Sequence, residues 1–343
     1  MTDAIFFRTR GGPTQGWGNV VRLASFAQWC RDAGNHEITF FAEGPAEVAT
    51  YLRERGFEVV HLPDDIDLEA EARALSEHGR AAKVFVEMLD VTPERQALLH
   101  GVCDQLIVFD DLCDHIYDAD LVVCGQSLPS HANRSLSSEG TRFLTGPEYF
   151  LCRPEFLPFA DREREYSPEL GSILVSLGGG AYDVGYLKVA QALAALSIPE
   201  REPEVTFVLG HGRSELRAKL QEFLPRARVL GGVDDLEQRL WDCDLAIVSG
   251  GYTKLEAAVT QTPCLVLSAQ WHQLPLAEEF AKSTGVRHLG YMAYVRPEEI
   301  TAAVHSLRSA DTRCFGAQRA RLAVDGRGFE RVYRAAFETQ LAG

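Results

Sequence analysis

The sequence predicts an α/β fold made of two Rossmann-like domains in series. Short apolar runs alternate with longer amphipathic stretches, the alternation stops once near the middle of the chain, and it then restarts. Such alternation is typical of a parallel sheet covered by helices. With 343 residues, 46% of them hydrophobic, the chain is long enough to bury two separate cores.

The first half of the chain contains six strand candidates separated by helix candidates. The strand candidates are AIFFRT, EITFFAE, EVVHL, KVFVEML, QLIVFDD and DLVVCG. The helix candidates between them include VVRLASFAQWCRDAG, AEVATYLRERG, LEAEARALSEHG and TPERQALLHGV. These segments predict an open α/β domain over residues 1–152.

The middle of the chain, residues 153–171, is rich in proline and charge and lacks periodicity, which predicts a linker. Beyond it, the strand candidates SILVSL, VTFVLG, ARVLGG, LAIVSG, CLVLSA and VRHLG predict a second domain over residues 172–315. Residues 316–343 follow a helical period. This terminal helix either packs back on the first domain or pairs with a second subunit in a homodimer. The best cleft of such a chain lies between the domains, at the carboxyl ends of the strands.

The composition argues against several classes of function. A net charge of −15 is opposite to the basic stripe expected of a nucleic-acid binder. No apolar run reaches the roughly 18 residues of a spanning helix and no signal peptide is recognisable, so we expect no integral membrane segment and a cytoplasmic location. The eight cysteines form no Cys-x-x-Cys pair and the ten histidines show no ligand spacing, so neither a metal nor a cofactor is expected.

The most informative segment follows the apolar run CDLAIV. It contains Ser249, Gly250 and Gly251, and then Thr253 and Glu256 at the start of the helix-like LEAAVTQ. A strand that ends in glycines and hydroxyl residues before a helix presents backbone N–H groups to an anion. Glu256, one turn further, can accept hydrogen bonds from a ribose diol. The spacing of Thr253 and Glu256 also fits a capping box, and the glycines also fit a plain tight turn.

Two other loops of the second domain end strands in a similar way. Ser176, Gly178 and Gly179 repeat the order of a hydroxyl residue, glycines and a helix. His272 and Gln273 follow CLVLS ahead of another helix, where they can meet a phosphate or sugar hydroxyls. A capping or packing role for His272 is the alternative.

The first domain offers a glycine-dense loop after its first strand. Gly16 and Gly18 let the backbone approach a ligand closely, and Asn19 and Arg22 lie one turn apart on the helix that follows. A merely flexible turn is the alternative interpretation.

Two adjacent acids, Asp110 and Asp111, follow a later strand of the same domain. Carboxylates at this position cap the next segment, contact a sugar or act as a base. Of these roles, capping is the commonest.

Five segments together resemble a known group of proteins. They are GWGNVVRLASFA, VFDDLCDHIYDADLVV, LTGPEYFLCRPEF, ILVSLGGG and DLAIVSGGYTKLEAAVTQTPCLVLSAQWHQ. In this order they resemble the two-domain GT-B proteins. Within that group the chain is similar to the UDP-2,4-diacetamido-2,4,6-trideoxy-altropyranose hydrolase of pseudaminic acid biosynthesis and its polysaccharide-biosynthesis relatives. It is more distantly similar to the peptidoglycan N-acetylglucosaminyltransferase.

The resemblance implies a GT-B fold with a central cleft and assigns roles to individual residues. It places Ser249, Gly250, Gly251, Tyr252 and Thr253 around a diphosphate and Glu256 at the ribose. It further implies that Gly178 and Gly179 line the same cleft and that Gln273 lies near the sugar.

Two departures from the hydrolase pattern bear on the reaction. The hydrolase loop Gly-x-Gly-His-x-x-Arg carries a histidine that helps to activate water, and here Asn19, which cannot take a proton, occupies that position. An Asp-His-Tyr-like triplet of the family aligns with Glu87-Met88-Leu89, which keeps only a carboxylate. Loss of a general base costs about two to four powers of ten in rate.

A glycosyltransferase accommodates these departures better than the hydrolase does. Transfer needs a stabilised diphosphate leaving group and a carboxylate that deprotonates the acceptor hydroxyl. The candidate bases are Asp110, Asp111 and Glu87, with His272 a weaker choice. We therefore expect a metal-independent glycosyltransferase of surface polysaccharide or glycoconjugate biosynthesis that transfers from a nucleotide sugar, with UDP as the nucleotide, to an unidentified acceptor. The alternatives are a UDP-amino-sugar hydrolase in which Asn19 orients water and a non-catalytic nucleotide-sugar-binding protein.

Overall fold

The computed structural model describes residues 3–12, 16–88, 91–128, 140–178, 182–198, 202–210 and 213–338. The chain divides into two compact units. Unit 1 comprises Met1–Arg153 together with Arg327–Gly343, and unit 2 comprises Pro154–Gly326. Each unit contains one parallel sheet. Among the helices of the described ranges, none combines the length and the hydropathy that crossing a bilayer requires.

Unit 1 is built on a seven-stranded sheet in the order β3-β2-β1-β4-β5-β6-β7, with every neighbouring pair parallel. The strands are β1 (Asp3–Arg10), β2 (His36–Glu43), β3 (Glu58–Leu62), β4 (Ala81–Glu87), β5 (Cys103–Phe109), β6 (Leu121–Cys124) and β7 (Arg142–Thr145). The sheet is accompanied by α1 (Gly18–Ala33), α2 (Ala46–Arg53), α3 (Leu68–Ser76) and α4 (Pro93–Gly101).

The centre of unit 1 is rich in phenylalanine. The ring of Phe7 on β1 stacks on Phe40 of β2 and on Phe85 of β4, with centroid separations of 5.1 and 5.0 Å. All three side chains are fully buried. Parallel strands are covered on both faces, and their sequences are therefore nearly continuous apolar runs.

A buried ionic network ties two helices of unit 1 to β1. Arg8 is fully buried and pairs with Glu43 at the end of β2 and with Glu71 on α3, the latter at 2.6 Å. Arg95 on α4 reaches the other oxygen of Glu71 at 3.0 Å. Removing one partner would leave an uncompensated buried charge, so the network fixes how α3 and α4 pack.

Unit 2 is built on a six-stranded parallel sheet in the order β10-β9-β8-β11-β12-β13. The strands are β8 (Ser172–Ser176), β9 (Glu204–Leu209), β10 (Arg228–Gly231), β11 (Leu245–Ser249), β12 (Cys264–Ser268) and β13 (Arg287–Tyr291). The helices are α5 (Leu157–Ala160), α6 (Asp183–Ala194), α7 (Ser214–Phe223), α8 (Leu236–Asp242), α9 (Thr253–Val259), α10 (Gln273–Thr284), α11 (Pro297–Ser306) and α12 (Ala310–Ala323). Each of the six strand candidates of this half is a strand.

The segment that the sequence predicts to be a linker is anchored on unit 2. The Arg164 guanidinium donates to the carbonyl oxygens of Leu240 and Thr260, at 3.2 and 3.0 Å, and to the Thr262 hydroxyl at 2.9 Å. These bonds replace the water that the guanidinium loses on burial. A proline- and charge-rich composition therefore does not make this segment a free connection.

The C-terminal segment forms two helices, although its sequence pattern predicts one. After α12 the chain passes Gly326, whose φ of +76° suits glycine, and a last helix α13 (Gly328–Phe337) packs on unit 1. Phe329 of α13 lies 5.8 Å from both Phe26 and Trp29 of α1, centroid to centroid. Of the two alternatives left open by the sequence, the structure shows the helix packed on the first domain.

Candidate functional site

The most informative segment of the sequence forms a tight turn, here called the glycine turn, which consists of residues 249–253 between β11 and α9. Its first glycine continues the sheet, because the Gly250 N–H donates to the Leu267 carbonyl at 3.1 Å. This amide is therefore not available to a ligand. The N–H groups of Gly251 and Thr253 have no acceptor among the described residues. α9 has only seven residues, so binding of an anion here depends on individual amides more than on a helix dipole.

Close packing explains why glycine occupies position 250. A Cβ at this residue would lie 2.7 Å from the Ser268 Oγ on β12 and 3.3 Å from the Ala277 Cβ on α10. Gly178, which follows β8 with a φ of +93°, approaches the same turn, since a Cβ there would lie 3.9 Å from the Ser249 Oγ. Two of the three predicted loops of the second domain thus meet.

The third predicted loop reaches the glycine turn through Gln273. Its Oε1 accepts a hydrogen bond from the Ala269 N–H at 2.9 Å, and its Nε2 lies 3.2 Å from where a Cβ of Gly251 would be. The adjacent Gln270 donates to the Tyr182 hydroxyl at 2.8 Å, a contact that local sequence does not indicate. His272 is exposed, precedes α10 and makes no side-chain capping bond.

The remaining predicted residues of this site lie in or beside the same turn. Ser249, Thr253 and Glu256 are buried, and Glu256 lies one turn into α9. Ser176, also buried, ends β8 opposite Val248 of β11. Tyr252 is half-buried, and Gly179 lies outside the described residues.

A residue that the sequence analysis passed over lies directly under the turn. Lys254 is fully buried, and its Nζ donates to the carbonyl oxygens of Gly250 and Gly251 at 2.8 and 3.0 Å. Nearby, His288 contacts the Ser268 Oγ at 2.9 Å. Burial lowers the pKa of His288, and the charge of Lys254 lowers it further, to about 4. The four-residue spacing from Gly250 to Lys254 was the only signal for this contact in the sequence.

Unit 1 contains a second group, which assembles around Arg22. The buried guanidinium pairs with the Glu87 carboxylate at the end of β4 and donates to the Asn19 Oδ1 at 3.1 Å. The Asp111 Oδ2 lies 3.8 Å from the same guanidinium. We call these four residues the Arg22 cluster. It unites three of the four predicted catalytic residues, and it shows Arg22 engaged by side chains of its own unit.

Asp110, the fourth candidate, has a different environment. Its Oδ1 accepts hydrogen bonds from the N–H groups of Leu112 and Cys113 at 2.7 and 3.1 Å, and its Oδ2 contacts the His115 Nδ1 at 2.9 Å. Burial raises the pKa of Asp110, but the bonds from His115 and the turn amides outweigh it and hold the pKa below its usual range. Asp110 therefore caps its turn, whereas the side chain of Asp111 is 37% exposed.

The glycine loop of unit 1 is closed by a short backbone bridge. Gly12 and Gly16 exchange two hydrogen bonds, of 3.0 and 2.7 Å, and Gly16 has a φ of +85°. Gly18 begins α1, and a Cβ there would lie 3.7 Å from the Arg22 Nη1. Residues 13–15 lie outside the described part, so the loop is defined at its two ends only.

One group of potential metal ligands occurs in the described ranges. Asp110, Asp114 and His115 each offer one ligand atom, and these atoms lie within 4.8 Å of one another. The Asp110 Oδ1 already accepts two hydrogen bonds from backbone N–H groups of the turn, which favours a structural role. The expectation of a metal-free protein stays a prediction.

Two proteins resemble the chain in sequence, and no protein-family model matches it. The spore coat polysaccharide biosynthesis protein SpsG of Bacillus subtilis is 26% identical over 332 residues, which cover 94% of each chain. The uncharacterized protein MJ1062 of Methanocaldococcus jannaschii is 26% identical over 292 residues. That match covers 82% of this chain but only 59% of MJ1062, so the chain spans about three fifths of that relative's length.

Solved structures resemble the chain over nearly its whole length. MurG of Acinetobacter baumannii superposes with a TM-score of 0.69 at 12% identity, covering 98% of this chain and all of MurG. Anabaena Alr3699/HepE in complex with UDP gives a TM-score of 0.66 at 13% identity, covering 99% and 100%. A putative UDP-N-acetylglucosamine 2-epimerase of Listeria monocytogenes gives 0.66 at 12% identity, covering 98% and 97%. The predicted fold is thus confirmed: the chain has the two-domain α/β architecture of these structures, which is the GT-B fold.

Proposed function

We propose that the chain is a metal-independent glycosyltransferase that uses a nucleotide sugar, with UDP as the nucleotide, in polysaccharide or glycoconjugate biosynthesis. The observation that carries this proposal is the convergence of Gly178, Ser249, Gly251 and Gln273 at the carboxyl ends of β8, β11 and β12. The relationship to SpsG over 94% of both chains supports the biosynthetic context. The fold does not decide the reaction, because the structural neighbours include a putative epimerase as well as MurG.

Unit 2 would bind the donor. The N–H groups of Gly251 and Thr253, with the hydroxyls of Ser249 and Thr253, can donate to the oxygens of a diphosphate. Glu256, one turn further along α9, would accept hydrogen bonds from the ribose hydroxyls. Fixed donors that stabilise the charge developing on the leaving group take the place of a metal ion in this proposal.

Unit 1 would supply the base, and the Arg22 cluster favours Asp111. Both oxygens of Asp110 accept hydrogen bonds within its own turn, and Glu87 pairs with Arg22 while its Oε2 is buried. Asp111 alone of the three acids is substantially exposed. Its carboxylate would take the proton of the acceptor hydroxyl while that oxygen bonds to the anomeric carbon and the bond from that carbon to the diphosphate oxygen breaks, which releases UDP.

Hydrolysis of the nucleotide sugar is the second candidate reaction, and the position of Asn19 supports it. Asn19 shares the Arg22 guanidinium with Asp111, so an amide that orients water and a carboxylate that deprotonates it belong to one cluster. The chemistry is the same as in transfer, with water in place of the acceptor hydroxyl. We further propose a cytoplasmic location and a homodimer. The acceptor stays unidentified.

Measuring UDP release from a panel of UDP-sugars, with and without cell-derived acceptors, tests the proposal. Release that requires an acceptor supports the transferase, and release into water alone supports the hydrolase. Binding of UDP without turnover under any acceptor would instead indicate a non-catalytic binding protein. Absence of any heat with UDP and UDP-sugars in calorimetry would overturn the nucleotide-sugar assignment itself.

A further inference from the structure

Lys254 is buried under the glycine turn, and it is not among the groups that would donate to the diphosphate. Lys254 has 0% exposure on a helix whose other described side chains in this region are apolar or hydroxyl-bearing, apart from Glu256. An ammonium group placed in a protein interior carries a large desolvation cost, which a methionine of similar length would avoid. A functional role of the positive charge, or of the N–H groups of the ammonium, would explain why a lysine occupies position 254.

The hydrogen bonds of Lys254 fix the direction of two peptide groups. Its Nζ holds the carbonyl oxygens of Gly250 and Gly251, so both point toward the interior. In a planar trans peptide the N–H points opposite to the C=O. The N–H of Gly251 belongs to the peptide with the Gly250 carbonyl, and the N–H of Tyr252 belongs to the peptide with the Gly251 carbonyl. Both N–H groups are therefore turned away from Lys254.

Glycine makes this restraint necessary. Gly250 and Gly251 have no side chains to restrict their backbone, and glycine populates many backbone conformations. Without a restraint, either peptide could flip and present a carbonyl oxygen where an anion is to bind. The positive charge of Lys254 also reaches the neighbouring elements, because it lowers the pKa of His288 on β13 beyond the effect of burial.

We propose that Lys254 is a positioning residue for diphosphate binding: it holds the Gly250 and Gly251 carbonyl oxygens inward, so that the Gly251 N–H is directed away from them toward the diphosphate, and it places a positive charge beneath the turn. The inference rests on the proposed function and deepens it. It predicts that binding of the donor's diphosphate oxygens depends on Lys254, whereas binding of the sugar and of the uracil ring does not.

The test compares Lys254→Met with Lys83→Met in the full chain. Lys83 is a matched control, since it is also buried, donates to the Gln105 side chain, and belongs neither to the glycine turn nor to the Arg22 cluster. We expect Lys254→Met to weaken UDP binding in calorimetry by about ten- to a hundredfold, the cost of losing well-oriented bonds to a charged group, and Lys83→Met to leave it unchanged. Equal UDP affinity of Lys254→Met and the unsubstituted protein would overturn the inference while leaving the proposed function intact. Absence of UDP binding to the unsubstituted protein would instead remove the proposed function.

A measurement without any variant covers the case in which Lys254→Met does not fold. In protein labelled with [15N]glycine, saturation with UDP should shift the Gly251 amide proton downfield, because that N–H then donates to a phosphate oxygen. The Gly250 amide, which donates to Leu267, should change little. Binding of UDP with no change at Gly251 would contradict the proposed orientation of this N–H group.

Discussion

Replacing Gly250 by alanine tests whether the glycine turn is as tightly packed as the structure shows. The new Cβ would lie 2.7 Å from the Ser268 Oγ, 3.2 Å from the Gln273 Cβ and 3.3 Å from the Ala277 Cβ. Overpacking of this kind costs about 1–3 kcal/mol. Alanine restricts the unfolded chain and returns about 0.4–1 kcal/mol, because the backbone at 250 is not left-handed. The net expectation is a loss of about 1–2 kcal/mol, or roughly 2–8 °C in the Tm of unit 2.

Gly231→Ala is the matched control for this experiment. Gly231 ends β10 of the same sheet, also has an ordinary φ, and nothing lies within 4 Å of its added Cβ. We expect Gly231→Ala to be neutral or slightly stabilising in thermal and urea unfolding. We also expect UDP affinity to fall for Gly250→Ala only, since displacement of Gln273 and Ser268 disturbs the ligand side of the turn. Equal stability and equal UDP affinity of the two variants would refute the packing argument.

Three further outcomes follow from the same structure. Asp111→Asn should lower kcat by about two to four powers of ten without changing UDP affinity. Asp110→Asn should chiefly destabilise unit 1, by about 1–3 kcal/mol in urea unfolding. A larger loss of kcat from Asp110→Asn than from Asp111→Asn would show that Asp110 is the base. The pKa of His288 falls from 6.5 to about 4 on folding, so the unfolded state binds more protons between these values and stability should decline as pH falls from 6.5 toward 4. Unfolding curves of His288→Gln should lack this component of the pH dependence, and an unaltered curve would show that another group causes it. Turnover should be the same before and after dialysis against EDTA, and a loss restored by Mg²⁺ or Mn²⁺ would contradict metal independence.

The sheets were largely predictable because parallel strands are buried on both faces and their sequences are continuous apolar runs. This signal found β1 to β6 and every strand of unit 2. It missed β7, whose sequence RFLT is short and half-buried at the edge of its sheet. None of its four side chains is fully buried, so its sequence contains no sustained apolar run, whereas the edge strands β3, β10 and β13 have recognisable runs.

The candidate sites were predictable only as far as their chemistry is local. The glycine turn could be recognised because Gly250 and Gly251 follow a strand directly. The Arg22 cluster could not, because it joins α1 to the ends of β4 and β5 through contacts between residues 65 positions apart. The difference between Asp110 and Asp111 likewise depends on which way each side chain points from a turn, and adjacent residues of the same type carry no such information.

The chain passes from unit 1 to unit 2 and returns to unit 1. This path determines the order in which the parts of unit 1 become available during translation. The segment with Phe329 and Val332, both buried in the core of unit 1, leaves the ribosome only after all of unit 2 has been made. Until then the nascent first half exposes the apolar patch around Phe26 and Trp29, a natural target for chaperones. The same patch offers a route to a split protein, in which a peptide carrying residues 327–338 would complement a chain that stops at Gly326.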